Sequence, residues 1–186
     1  MRIIGGARRG LKLAEVGEGD AAAHLRPTSD RVREAIFNLL INAHGNPVAG
    51  ARVLDLFAGT GALGLEALSR GAAEVTFVDD GAKALALIRA NIAKMRAEAE
   101  TRVLRQDARK LGPNAGRDYG LVFLDPPYGK GLGEQALAAA LRGGWLAPKA
   151  LVVWEEGSAP EMPAEFALVD QRKYGETIVT LLRAAE

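Results

Sequence analysis

No cysteine occurs in this chain of 186 residues, so neither a disulfide framework nor a thiolate metal centre can be built from it. Histidine is almost as scarce. His24 and His44 are too few for a histidine-built metal site, and no metal is expected. No signal-peptide pattern opens the sequence. No apolar run reaches the roughly 20 residues needed to cross a bilayer. These absences set the expectation of a soluble protein of a reducing, cytoplasmic compartment. Aromatic residues make up only 5% of the chain against an apolar share of 48%, much of it alanine. The helices are therefore expected to pack closely through small side chains. A strong charge of one sign is also missing, because the net charge is only +1. Its distribution is uneven. From Met1 to Arg52 eight basic residues face five acidic ones, a surplus that a phosphate backbone can use.

What is present is the punctuation of an α/β protein. Arg2 to Gly6 and Gly10 to Leu13 read as two short strands around a basic turn. Thr28 or Ser29 caps a helix in which Val32, Ala35, Ile36, Leu39 and Leu40 recur at helical spacing, and Gly45-Asn46-Pro47 ends it. Strand, glycine turn and helix then alternate. Strands are expected at 53–57, 74–78, 102–105, 120–124 and 150–155, with helices at 63–70, 82–98 and 133–141. A terminal antiparallel pair follows at 167–172 and 177–182. Alternation of this kind predicts a doubly wound, mostly parallel, Rossmann-like seven-stranded sheet with an antiparallel C-terminal strand. Residues 1–27 are expected to form a basic hairpin appendage. Residues 28–186 form the α/β domain, with 28–45 as its leading helix.

The chemistry concentrates at predicted strand ends. Asp125-Pro126-Pro127-Tyr128 follows the apolar run Leu121 to Leu124. Two prolines stop a strand, donate no N–H and hold a stiff turn. Such a turn suits a planar amino group: Asp125 and the Pro126 carbonyl accept its hydrogens, and Tyr128 stacks on the ring. Phe57-Ala58-Gly59-Thr60-Gly61 opens a G-x-G-x-x-G stretch between a strand and a helix. That pattern fits NAD as well as S-adenosylmethionine. Asp55, inside the strand, favours a cationic ligand and would repel a pyrophosphate. Asp79, beside Asp80, ends the second strand where an acid can accept ribose hydroxyls. Gln106-Asp107-Ala108 follows the third, where Asp107 can accept from an adenine amino group.

Together these residues resemble a class I S-adenosylmethionine-dependent methyltransferase. More narrowly, the chain is similar to the RsmD family of bacterial 16S rRNA (guanine-N2)-methyltransferases. The resemblance rests on Arg2-Ile3-Ile4-Gly5-Gly6 with Arg9-Gly10, on Arg26-Pro27-Thr28-Ser29-Asp30-Arg31-Val32-Arg33-Glu34, on Asp55 to Ala67, and on Asp125 to Tyr128. It implies S-adenosylmethionine as cofactor, 16S rRNA in a small ribosomal subunit or its assembly intermediate as partner, and a monomer. Family members carry a glutamate where Asp79 stands and a second Asp or Asn where Gly81 stands, so the ribose contact differs here. Arg8, Arg9, Arg26, Arg31 and Arg33 are expected to meet rRNA phosphates. Two readings of other classes stay open at this point: an amino-methyltransferase for adenine N6 or a glutamine amide, and a catalytically idle RNA-binding fold.

Overall fold

A computed structural model of the chain describes residues 1–16 and 28–186. His24, Arg26 and Pro27 lie outside the described residues. Helix α1 (Asp30–Ala43) is followed by β1 (Arg52–Leu56), α2 (Ala62–Ser69), β2 (Glu74–Asp79), α3 (Ala82–Met95), β3 (Thr101–Arg105), β4 (Tyr119–Leu124), α4 (Leu132–Arg142), β5 (Leu146–Glu156), β6 (Phe166–Tyr174) and β7 (Thr177–Ala184). Short 3₁₀ turns precede β3 and follow it, at Glu98–Glu100 and Ala108–Lys110. No helix among the described residues is long and apolar enough to cross a membrane.

One seven-stranded sheet runs in the order β3-β2-β1-β4-β5-β7-β6. β1 to β5 are parallel, and β7 is antiparallel to both β5 and β6. The architecture is the one expected from the alternation of strands and helices. Side chains alternate between its faces. Val53, Val75, Phe77, Leu121, Phe123, Leu151 and Val153 pack with α1, α2 and α3 on one side. Leu54, Leu56, Val122, Leu124, Val152 and Trp154 pack with α4 on the other. Phe37 of α1 meets Phe123 of β4 with ring centroids 5.6 Å apart.

Two expectations are adjusted. The N-terminal residues form only a single bridge, Arg2 with Lys12, rather than two strands. Their amides are drawn elsewhere: Ile4 and Gly5 donate to the Glu66 carboxylate, and Ala7 donates to the Ser69 carbonyl. Ile3 and Leu13 are buried in the same core cluster as α1, α2 and α3. Helix α3 stops at Met95 rather than running to Glu98, because Arg96 turns left-handed (φ 52°) and closes it. His44 caps α1, and its Nε2 lies 3.0 Å from Asp170 Oδ2. Trp145 and Trp154 are core residues, and Tyr174 packs against the α1 side of the core.

Candidate active site

The strand order changes direction between β1 and β4, which opens a crevice at their carboxyl ends. Parallel pairing puts Leu56 beside Leu124, so the turn after β4 and the glycine loop after β1 leave the sheet side by side. Asp55, Asp79, Asp107, Asp125 and Glu155 all lie at or just after the ends of β1 to β5, on this one rim.

The loop after β1 is held tightly. Phe57 adopts φ 56°, a left-handed conformation in a residue with a side chain, and Gly59 and Gly61 have φ 59° and 81°. A left-handed non-glycine residue costs roughly 1–2 kcal/mol, and such strain collects where a ligand must be approached closely. The Ala58 amide donates to Val78 O, and the Gly61 amide to Ala58 O. Asn91 Nδ2 of α3 donates to the Thr60 carbonyl at 2.9 Å. Gly64 lets α2 touch the sheet: a Cβ there would stand 2.5 Å from Phe77 and 2.9 Å from Asp55 Oδ2.

The acids around this loop differ in their partners. Asp55, 1% exposed, accepts the Gly64 amide at 3.0 Å. Burial pushes its carboxyl well above the usual carboxylate range; the Gly64 amide opposes this, and the negative charges of Asp125 and Asp79 add to it. Asp79 accepts the Gly59 amide on Oδ2 and the Gly81 amide on Oδ1, both at 2.9 Å. Burial still raises its carboxyl, against those two amides. Asp80 is exposed. Gln106, also exposed, donates its backbone N–H to Asp79 O. Asp107 caps the following 3₁₀ turn and binds Arg109 through both oxygens, so that guanidinium holds its carboxyl below the usual range. Ala108 is buried beneath it.

The turn after β4 borders a cleft of about 180 Å³ lined by Thr28, Ser29, Val32, Asp125, Tyr128, Glu155 and Thr177. Pro126 is buried and Pro127 exposed. Tyr128 is braced on two sides: a Cβ on Gly157 would stand 2.9 Å from its ring, and its hydroxyl lies 3.3 Å from Thr177 Oγ1. Glu156 Oε1 accepts the amides of Gly129 and Gly157, both at 3.0 Å, which fixes the backbone after the ring.

Sequence reasoning left Glu155 out of this cleft and did not decide between Thr28 and Ser29 as the cap of α1. Ser29 is the cap of α1, accepting from the Val32 amide. The neighbouring Thr28 is released into the cleft, with Oγ1 3.1 Å from Asp125 Oδ2 and 3.2 Å from Glu155 Oε1. Glu155 carries a signal that was there to use: it ends a parallel strand, like the other acids of the rim.

The arginines separate. Arg31 is exposed in the same helical turn as cleft-lining Ser29 and Val32. Arg9 is exposed at the N-terminal turn. Arg8 donates to Met95 O at the end of α3 and lies 3.9 Å from Glu100, ahead of β3, so it stands at the opposite rim of the sheet. Arg33 corrects an expectation. It is fully buried, paired with Asp30 at 2.9 Å and with Glu66 at 3.4 Å, and bonded to the Arg2 carbonyl. A guanidinium enclosed in this way cannot reach a phosphate backbone.

Residues 1–183 match the family described as Conserved hypothetical protein 95. Ribosomal RNA small subunit methyltransferase D of Escherichia coli K12 is 40% identical over 185 residues, which cover 97% of this chain and 88% of that protein. The protein of the same name from Haemophilus influenzae is 35% identical over 181 residues, covering 94% of this chain and 89% of its own. Among solved structures, yhhF of Escherichia coli, described as a methyltransferase, superposes with a TM-score of 0.81. It shares 36% identity over 100% of this chain and 98% of that chain.

Proposed function

The chain belongs to the Conserved hypothetical protein 95 family, the RsmD-type methyltransferases, and from that premise we propose that it methylates the exocyclic N2 of one guanine in small-subunit 16S rRNA. S-adenosylmethionine is the methyl donor in this reading. The partner is the rRNA within a small ribosomal subunit or its assembly intermediate. The protein acts there as a monomer in the cytoplasm, without a metal.

One observation carries the reading. Parallel pairing sets Leu56 beside Leu124, so the turn that begins at Asp125 leaves the sheet next to the glycine loop, and Asp55 holds the first turn of α2 behind that loop. The catalytic turn and the cofactor loop therefore share one crevice. The residues present fit the donor. Burial first, and the neighbouring charges of Asp125 and Asp79 after it, raise the Asp55 carboxyl; a rim of carboxylates of this kind is suited to a cationic ligand and unsuited to a pyrophosphate. Asp55 would face the cation, and Asp79 would accept from the ribose in addition to its two backbone amides. Asp107 and the backbone of Gln106 and Ala108 would border the adenine. When bound, the donor supplies an electrophilic methyl group on a sulfonium.

The chain's own residues do the rest. The guanine N2 lone pair is delocalised into the ring and is a poor nucleophile. Hydrogen bonds from its two N–H groups to Asp125 and the Pro126 carbonyl favour a pyramidal nitrogen with its lone pair turned to the crevice. Tyr128, braced by Gly157 and Thr177, holds the base plane. Alignment of this kind supplies roughly 7–11 kcal/mol. The nitrogen loses its proton with or after methyl transfer, by way of Asp125 to water. The base must first leave its stack, at a cost of about a few kcal/mol outside a loop.

The test is methyl transfer from labelled donor to small subunits isolated from cells that lack the enzyme, followed by nucleoside chromatography and mapping. The expected product is a single N2-methylguanosine. Label in N6-methyladenosine or in protein would overturn the proposal.

A further inference from the structure

We propose that Glu155 accepts the N1–H of the target guanine and thereby selects guanine over purines whose N1 carries no hydrogen. The proposal rests on the N2 reading above and adds a specificity-determining residue to it.

Glu155 is 2% exposed and yet lines the cleft beside Asp125 and Tyr128. Its position is fixed by the sheet. Leu124 pairs with Trp154 on one side of β5, and Val179 of β7 pairs with Glu155 on the other. Asp125, one residue beyond Leu124, is thus level with Glu155. Alternation along β5 turns Glu155 to the same face as Leu151 and Val153, the face on which Asp55 meets α2. A single hydroxyl joins the two acids: Thr28 Oγ1 lies 3.1 Å from Asp125 Oδ2, 3.2 Å from Glu155 Oε1 and 3.4 Å from Glu155 Oε2.

This arrangement matches one base edge. A carboxylate offers about four acceptor positions on its two oxygens. Asp125 and Glu155 set two such groups side by side along the cleft wall. Guanine alone among the standard bases presents contiguous donors, N1–H and the N2 amino group, on its Watson–Crick edge. Enzymes that act on an unstacked base read it through that edge. With the N2 hydrogens on Asp125 and the Pro126 carbonyl, the adjacent N1–H points along the wall toward Glu155. A purine with a bare N1 would set a lone pair against the buried carboxylate. The cleft, at about 180 Å³, is smaller than the roughly 300–1,000 Å³ of sites for drug-sized ligands, so it takes one heterocycle and not a nucleotide.

The deciding probe is 2-aminopurine, which keeps the exocyclic N2 amine and lacks the N1 hydrogen. Single-turnover methyl transfer would be measured on small-subunit particles carrying guanine or 2-aminopurine at the methylated position. Wild type is expected to prefer guanine by roughly 10–100-fold. Glu155→Gln should slow transfer to guanine and shrink that preference by about tenfold or more, because the amide N–H can meet a bare N1. Its thermal midpoint and its calorimetric affinity for S-adenosylmethionine report whether the fold and the donor site are intact. Glu155→Asp, which keeps the charge and withdraws it by one methylene, should slow guanine while preserving the sign of the preference. Equal wild-type rates on the two bases would overturn this inference and leave the N2 reading standing. So would a Glu155→Gln variant that slows both bases by the same factor, the mark of a merely structural role. A wild type that leaves guanine N2 unmethylated would overturn the reading beneath it and this inference together.

Discussion

Glu66 in α2 and Asp55 in the strand beside it are the same kind of group at the same depth, and they are treated in opposite ways. Glu66 is fully buried and richly paired. It accepts the amides of Ile4 and Gly5 at 2.9 Å and Arg70 Nε at 2.8 Å, and it faces Arg33 at 3.4 Å. Asp55 accepts one amide at 3.0 Å and faces two further carboxylates. The first arrangement ties the N-terminal residues to α2 and completes the fold. The second leaves negative charge under-compensated at the crevice, a cost that stability alone would not select. Burial of a charge does not separate structural from functional acids. What surrounds the charge does.

That contrast can be broken first at the rim. Asp125→Ala should lower turnover by roughly 10²–10⁴-fold, the range for losing a positioned proton acceptor, while donor affinity and unfolding midpoint stay near wild type. Calorimetry with transfer assays measures both, and wild-type-like turnover would remove Asp125 from the mechanism. In α2, Glu66→Leu should leave Arg33 with Asp30 as its remaining ion pair and deprive Arg70 of its carboxylate partner. Breaking a buried pair this way costs about 3–5 kcal/mol, to be read by denaturant unfolding. A loss under about 1 kcal/mol would place Glu66 with weakly coupled surface charges.

Asp55→Asn sharpens the contrast through pH. In the unfolded chain the group titrates near its ordinary value of 3.8, and in the fold it titrates higher. Between those values the folded state binds more protons than the unfolded one, so Asp55 makes stability fall as pH rises through that interval. Asparagine retains an oxygen for the Gly64 amide and never ionises. The variant should therefore gain on wild type in unfolding free energy as pH rises from about 4 to neutrality, and lose affinity for the cationic donor by roughly tenfold or more. A flat difference across pH would mean that Asp55 is not strained by its charge.

Much of this was legible in the sequence because local pattern and tertiary demand agree. The strands at 53–57 and 120–124 shift by only a residue in the structure, since their apolar runs fill both faces of a covered sheet. The crevice acids were legible as strand ends. Arg33 was misassigned, although it lies three and four residues before Ile36 and Phe37 and seven before Leu40, on the buried stripe of α1. Its partner Glu66 comes from a distant helix, and no local pattern announces that pairing. Thr28 and Ser29 are equivalent as caps by chemistry alone. Only the packing of α1 against β4 and β5 decides which hydroxyl turns into the cleft.

The smallest expected effects separate two arginines that charge counting treats alike. Arg8 donates to the last carbonyl of α3, where a cation interacts favourably with the helix dipole. Arg8→Ala should cost about 0.3–1 kcal/mol of stability and leave the salt dependence of particle binding unchanged. Arg31 is exposed beside the cleft. Arg31→Ala should leave stability within about 0.5 kcal/mol of wild type and reduce the slope of log affinity against log salt by roughly 0.7–0.9, the share of one phosphate contact. The slopes separate structural from RNA-facing charge because counterion release counts only phosphates that are neutralised. A reduced slope for Arg8→Ala would mean that the RNA wraps to the far rim of the sheet. An unchanged slope for Arg31→Ala would mean that the substrate enters the crevice without touching α1.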